Sequence, residues 1–254
     1  MATPGGRPGS IGGWPLIAAL MLYSLGAAAT GLQVTPTSLT VEANRSAVGL
    51  WLSNTGERPL YAQVRTYRWS QEQGRDELTP SEVLIVSPPQ VELDAGTRQF
   101  VRVIRSAAAP AEREDAFRII IDELPTDEPG TPAAAGSAVR FVLRYSVPVF
   151  LAPIKGDAQV QLDGEVDRNT SPPRLVVRNR GDMHAQLGNL VLVDAGGQRR
   201  ELSSGLVGYV LPGQTMHWDL PVDKTTLATG GEVQSRINGE PRERKVASLG
   251  TGRP

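Results

Sequence analysis

The chain has 254 residues and 40% hydrophobic content, enough for one large or two small packed domains and too much for wholesale disorder. It contains no Cys, which excludes a disulfide scaffold, a thiolate metal site, an iron–sulfur cluster and a thiol nucleophile. A formal charge of −1 gives no bulk attraction to nucleic acid or anionic lipid, and two His cannot build a multi-His metal centre.

Met1–Gly13 is polar and Gly-rich, with Arg7 as its one cation. Trp14–Leu25 is a short apolar run, and the small residues Gly26–Ala29 follow it. This order predicts a secretory signal peptide over residues 1–29, cleaved after Ala29. A membrane anchor needs about 20 apolar residues, more than this run supplies. No later segment is apolar enough to span a bilayer, so the expectation is an exported protein with no membrane insertion.

From there the pattern is short alternating runs separated by turn residues at intervals of about ten, which predicts an all-β sandwich or barrel. Leu32–Val41 is extended but interrupted by Pro36. Ala47–Ser53 alternates and ends in the turn Asn54-Thr55-Gly56. Leu60–Trp69 places Leu60, Ala62, Val64, Thr66 and Arg68 on one face and Tyr61, Gln63, Arg65, Tyr67 and Trp69 on the other. Val83–Val86 and Gln99–Ile104 are further strands, and Ala116–Leu124 is a near-continuous apolar run, as in a central strand. Ala138–Leu151 is the longest alternating stretch, about 45 Å when extended.

Pro153–Asp157 reads as a hinge. Beyond it, strands are predicted at Arg174–Val177, Leu187–Val193, Gly205–Val210, Met216–Leu220 and Glu232–Ile237. The division expected is therefore a first β-domain over 30–153, a smaller one over 154–240 and a flexible charged tail over 241–254. No window of 11 or more residues after residue 29 has a convincing helical stripe.

Signs of catalysis are sparse. There is no G-x-S-x-G, P-loop, G-x-G-x-x-G or H-E-x-x-H. His184 and His217 are possible general bases, but a turn His and a strand-face His are the simpler reading. Asp122 and Glu123 are adjacent and so point to opposite faces of a strand, which prevents them from acting as a pair. No enzyme activity, metal or other cofactor is expected.

The informative stretch is Ala138–Leu151. Val139, Phe141, Leu143, Tyr145, Val147, Val149 and Leu151 share one face. Arg140, Val142, Arg144, Ser146, Pro148 and Phe150 share the other. An ordinary core strand is one reading. The other is an edge built to pair with a second protein: the strand is more than twice the mean length of about 5–6 residues. It also follows the Gly/Ala/Pro loop Thr126–Ser137, and a long apolar edge is otherwise an aggregation hazard.

At this point the chain resembles the periplasmic pilus (fimbrial) assembly chaperones of the PapD type. The resemblance rests on Leu50–Asn54 (LWLSN), Pro59–Ala62 (PLYA), Val86–Pro89 (VSPP) and Leu93–Gly96 (LDAG) with Val101-Arg102-Val103. It continues in Phe117–Pro125 (FRIIIDELP), Val147–Pro153 (VPVFLAP), Asn179–Ala185 (NRGDMHA) and Leu211–Gly213 (LPG). It implies two immunoglobulin-like β-sandwiches in a boomerang and a periplasmic location. It also implies pilin (fimbrial) subunits and an outer-membrane usher as partners, with no nucleic acid and no nucleotide or metal requirement. Val139, Phe141, Leu143 and Tyr145 would then fill the groove of a subunit that lacks its last strand. The family's basic anchor pair is missing, because Ser38 and Pro148 occupy its positions. Arg118, and after it Arg144, are the candidates to hold the subunit's terminal carboxylate in its place. The family's interdomain Arg is also absent, with Ala152 there instead, so another contact must set the hinge. A different class, a secreted β-sandwich adhesion or carbohydrate-binding module, would need an exposed aromatic platform, for which Tyr67, Trp69, Tyr209 and Trp218 are the candidates.

Overall fold

The structure is a computed structural model that describes residues 1–2, 31–106, 111–125 and 142–250. Residues 3–29 of the expected signal peptide, the loop Thr126–Ser137, and Val139 and Phe141 lie outside the described residues.

The first domain holds β1 (Leu32–Thr35), β2 (Leu39–Val41), β3 (Ala47–Asn54), β4 (Leu60–Glu72), β5 (Arg75–Pro80) and β6 (Leu84–Ser87). It continues with β7 (Gln90–Leu93), β8 (Arg98–Arg105), β9 (Asp115–Leu124) and β10 (Arg144–Leu151). The second holds β11 (Leu162–Asp167), β12 (Arg174–Asn179), β13 (Ala185–Asp194), β14 (Arg199–Val210) and β15 (Thr215–Asp219). The short helix α1 (Lys224–Ala228) and strands β16 (Gly231–Ile237) and β17 (Glu243–Leu249) complete it.

In the first domain a sheet ordered β1-β3-β8-β6 packs on one ordered β2-β10-β9-β4-β5, with β7 also paired to β4. In the second, β11-β12-β15 packs on β14-β13-β16-β17. Alternation explains which side chains meet. Leu50 and Leu52 of β3, Ala62 and Val64 of β4, Val101 and Val103 of β8, Phe117, Ile119 and Ile121 of β9, and Val147 and Val149 of β10 share one core. Pro36 ends β1, and the chain then crosses to the opposite sheet as β2, so the interrupted stretch Leu32–Val41 is two strands in two sheets.

Both domains use the same corner. Asn54 is buried and donates from Nδ2 to the carbonyls of Arg58 (2.7 Å) and Leu93 (3.0 Å), while its Oδ1 accepts from Gly56 N–H (2.9 Å). Asn179 repeats this with the carbonyls of Met183 (2.7 Å) and Val210 (3.0 Å) and the N–H of Gly181 (3.0 Å). A Cβ on Gly181 would lie 2.1 Å from the Gln159 carbonyl oxygen, so only glycine fits there.

Strands β5, β7, β11 and β17 were not anticipated from the pattern. β5 is exposed along its whole length and has no apolar period to read. It is set by a two-residue turn in which Gln73 (φ 51) and Gly74 (φ 75) both take positive φ, as a tight hairpin requires. The expected flexible tail needs correction: Glu243–Leu249 is strand β17, paired with β16, and its Val246, Ala247 and Leu249 are buried in the second core. Arg242, Glu243, Arg244 and Lys245 mask that short apolar run in the sequence. Deleting residues 241–254 is therefore expected to destabilise the second domain by several kcal/mol, at about 1.5–3 kcal/mol per large buried side chain. Calorimetry would show the loss as a lowered or missing thermal transition. A mobile tail would leave that transition unchanged.

Candidate functional site: an open strand edge and an interdomain junction

β10 is bound on one side along its whole length and on the other along only part of it. It runs antiparallel to β9 from Arg144 to Leu151, and parallel to β2 only at Val149–Leu151. Glu123 N–H donates to the Leu143 carbonyl at 2.9 Å, whereas Ala152 N–H donates to the Val41 carbonyl at 2.9 Å. In an antiparallel ladder these directions alternate. The odd-numbered residues of this stretch thus turn their N–H and C=O groups to β9, and Arg144, Ser146, Pro148 and Phe150 turn theirs away. Among the described residues no strand meets Arg144 or Ser146 on that side. Pro148 sits where its missing N–H would face the open flank, a position in which a strand tolerates proline.

The side chains of that stretch continue the core. Val147, Val149 and Leu151 are buried in it, and Leu143 and Tyr145 are half-buried against its end. The Tyr145 hydroxyl donates to the Leu32 carbonyl at 2.7 Å. The predicted alternation of faces is thus observed from Leu143 onward. Leu143 and Tyr145 lie at the mouth of the sandwich, beside the open edge.

The opposite face of the same sheet is polar and aromatic. Arg118 of β9 lies across from Pro148 of β10 and Tyr67 of β4. Its guanidinium carbon is 3.7 Å from the centre of the Trp69 ring and 5.2 Å from that of Tyr209. Burial lowers its pKa, and no carboxylate pairs with it among the described residues. The Asp76 carboxylate acts on it through its charge but makes no ion pair with it. Arg144 is differently placed. It is exposed and pairs with Asp122, which also accepts from Arg65. Burial pushes the Asp122 carboxyl up, but the hydrogen bonds from Arg144 and Arg65 outweigh that and hold it below the usual range.

This face also meets the second domain. Trp69, Ala116 and Phe150 bury together with Leu211, and Tyr209 packs against them. Gln71 clamps the junction: its Nε2 donates to Asp76 Oδ1 (2.9 Å) and the Tyr209 carbonyl (3.0 Å), and its Oε1 accepts from Leu211 N–H (2.9 Å). Glu114, whose side chain is 0% exposed, accepts from the N–H of His184 (3.0 Å), and its Oε1 lies 2.7 Å from Nδ1 of the same residue. The His184 ring stacks on Phe150 at 3.5 Å, nearly parallel. His217 lies against Gly74, where a Cβ would come within 2.2 Å of its ring. Both His are thus accounted for by contacts between the domains. Among the described residues no group of His, Asp and Glu is placed to hold a metal.

Trp69 is 2% exposed and Tyr209 packs on it, so these two do not form the exposed platform that a glycan binder needs. The alternation left Gln71 and Glu114 unremarked, because a polar residue on a strand face carries no signal of what lies opposite. An exposed aromatic pair, Trp51 and Phe100 with ring centres 5.1 Å apart, also went unnoticed.

Fold and site together define a class: a two-domain β-sandwich protein in which β10 is paired on one flank only at Val149–Leu151, beside an aromatic, basic junction between the domains. Residues 31–156 match the family described as pili and flagellar-assembly chaperone, PapD N-terminal domain. The first domain thus belongs to the PapD-like family of pilus chaperones. Solved structures share the fold over most of both chains. One is the CsuC–CsuE chaperone–tip adhesion subunit pre-assembly complex from the archaic chaperone-usher Csu pili of Acinetobacter baumannii, at 23% identity and TM-score 0.65 over 85% of this chain and 96% of that one. The E. coli chaperone DraB shows 20% identity and a TM-score of 0.58, over 85% and 95%. The Salmonella enterica SafA pilin in complex with the SafB chaperone shows 18% identity and 0.60, over 85% and 95%. Among curated protein sequences none matches.

Gln71→Ala would leave the buried N–H of Leu211 and the carbonyl of Tyr209 unsatisfied. A loss of about 1–3 kcal/mol for each group left unpaired is expected. Urea denaturation would measure it, and a cost below about 0.5 kcal/mol would show that the clamp contributes little.

Proposed function

We propose that this protein is a periplasmic chaperone that holds pilin subunits lacking their last strand and delivers them to an outer-membrane usher. The open flank of β10 carries this reading. An incoming strand can pair with Arg144 and Ser146, while the face that bears Leu143 and Tyr145 extends into the subunit's groove. Val139 and Phe141 would occupy further pockets along the same alternation. Each large side chain buried there contributes roughly 1.5–3 kcal/mol, and each added backbone hydrogen bond about 0.5–1.5 kcal/mol. Side chains thus supply most of the affinity, and the ladder sets the register.

Arg118 is the carboxylate anchor in this reading. It is half-buried and makes no ion pair among the described residues, whereas Arg144 is already engaged with Asp122. Strand exchange to a better-fitting partner strand supplies the driving force for release, so the reading invokes no enzyme activity, nucleotide or metal. Among the described residues no helix is long and apolar enough to cross a membrane.

Two measurements test this. Leu143→Asp or Phe141→Asp is expected to abolish recovery of a co-expressed pilin while the chaperone's circular dichroism stays unchanged. Normal recovery would count decisively against the open edge as the binding site. Arg118→Ala is expected to weaken subunit binding roughly ten- to hundredfold, as the loss of a hydrogen bond to a charged group does. Unchanged affinity would remove Arg118 from the site.

A further inference from the structure

Arg118 and Trp69 belong to the first domain, but the third member of their cluster comes from the second. The Tyr209 ring is 5.2 Å from the Arg118 guanidinium carbon and meets Trp69 edge-on, also at 5.2 Å. Its hydroxyl oxygen accepts from Gln186 Nε2 at 3.2 Å. That bond uses a lone pair and leaves the phenolic hydrogen free to donate. Burial raises the Tyr209 pKa, so the hydroxyl stays protonated. The indole N–H of Trp69 is buried in the same cluster without an acceptor.

The nearby carboxylates are all engaged elsewhere. Asp76 accepts from Gln71, Asp115 pairs with Arg68 at 3.0 Å, and Glu114 faces His184. Asp182 pairs with Arg113 at 3.3 Å, and Asp122 with Arg65 and Arg144. The cluster therefore presents donors from both domains, and Asp76, the acid whose charge reaches Arg118, forms no ion pair with it. A buried donor set of that kind favours an anion with two oxygens to share.

We propose that Tyr209 completes the subunit-carboxylate site: its hydroxyl donates to one oxygen while Arg118 holds the other, so that both domains grip one chain terminus. This rests on the reading of Arg118 as the anchor. It adds a consequence, since a ligand that bridges two domains stabilises their relative arrangement, and that arrangement in turn sets its affinity.

The test uses the full-length chaperone and the pilin subunit that co-purifies with it, prepared with a free C-terminal carboxylate and, by intein cleavage, as the C-terminal amide. Dissociation constants are measured for both forms. Wild type is expected to prefer the carboxylate roughly ten- to hundredfold, and Arg118→Ala to lose that preference. Tyr209→Phe, which keeps the ring against Trp69, is expected to reduce the preference about tenfold without altering affinity for the amide. A full preference in Tyr209→Phe, or an equal loss for both forms, would overturn the role of Tyr209 while leaving Arg118 in place. A wild type indifferent to amidation would overturn the anchor itself, and Tyr209 with it.

Discussion

The direction of the backbone hydrogen bonds along β10 is the constraint on which the rest of this molecule depends. A strand has two flanks, and here one is satisfied throughout by β9 while the other is satisfied only where β2 reaches it, at Val149–Leu151. Left long, flat and apolar, such a flank invites indiscriminate pairing. Here it is bounded at one end by Pro148, which offers no N–H, and the Arg144 side chain is tied to Asp122 on the neighbouring strand. Among the described residues the open stretch runs from Arg144 to Pro148, and its inner face continues a core already built by Val147 and Val149. A partner strand would extend that core across the boundary between two proteins.

The other face of the same sheet serves the second domain. Trp69, Ala116 and Phe150 face away from the first core, and Leu211 and Tyr209 cover them. The junction contains few charges. A neutral amide, Gln71, satisfies two backbone groups across it, and Glu114, the one buried acid among the described residues, is met at Oε1 by both the N–H and the ring of His184. Taking a carboxylate out of water costs several kcal/mol unless it is hydrogen-bonded. That cost explains why His184, stacked on Phe150 and within reach of Glu114, is held so closely. The interdomain Arg that the family resemblance led one to expect is absent, and these contacts stand in its place.

The two domains share more than architecture. In each, a buried Asn two residues before a Gly closes the same corner with two carbonyls and one N–H. An Asn side chain can satisfy three backbone groups at once, which suits a corner where the chain leaves one sheet and no ladder partner remains. The short signatures Asn54-Thr55-Gly56 and Asn179-Arg180-Gly181 were readable as turns. That they are the same corner became visible only through their hydrogen bonds.

Alternation alone determined much of this protein. With a period of two, it assigned Leu143, Tyr145, Val147 and Val149 to one face of their strand and Phe150 to the other, and set Trp69 opposite Ala62 and Val64, because neighbours in a strand point oppositely whatever the sheet. It could not decide what covers each face. The exposed strand β5 and the charged approach to β17 gave no apolar period, and so they were missed or taken for a tail. Gln71 and Leu211 are 140 residues apart, and Glu114 and His184 are 70 apart. Only the packing of one sandwich against the other brings them within hydrogen-bonding distance. A strand's sequence states which way its side chains point, but the tertiary structure alone decides what they meet there and which flank is left without a neighbour.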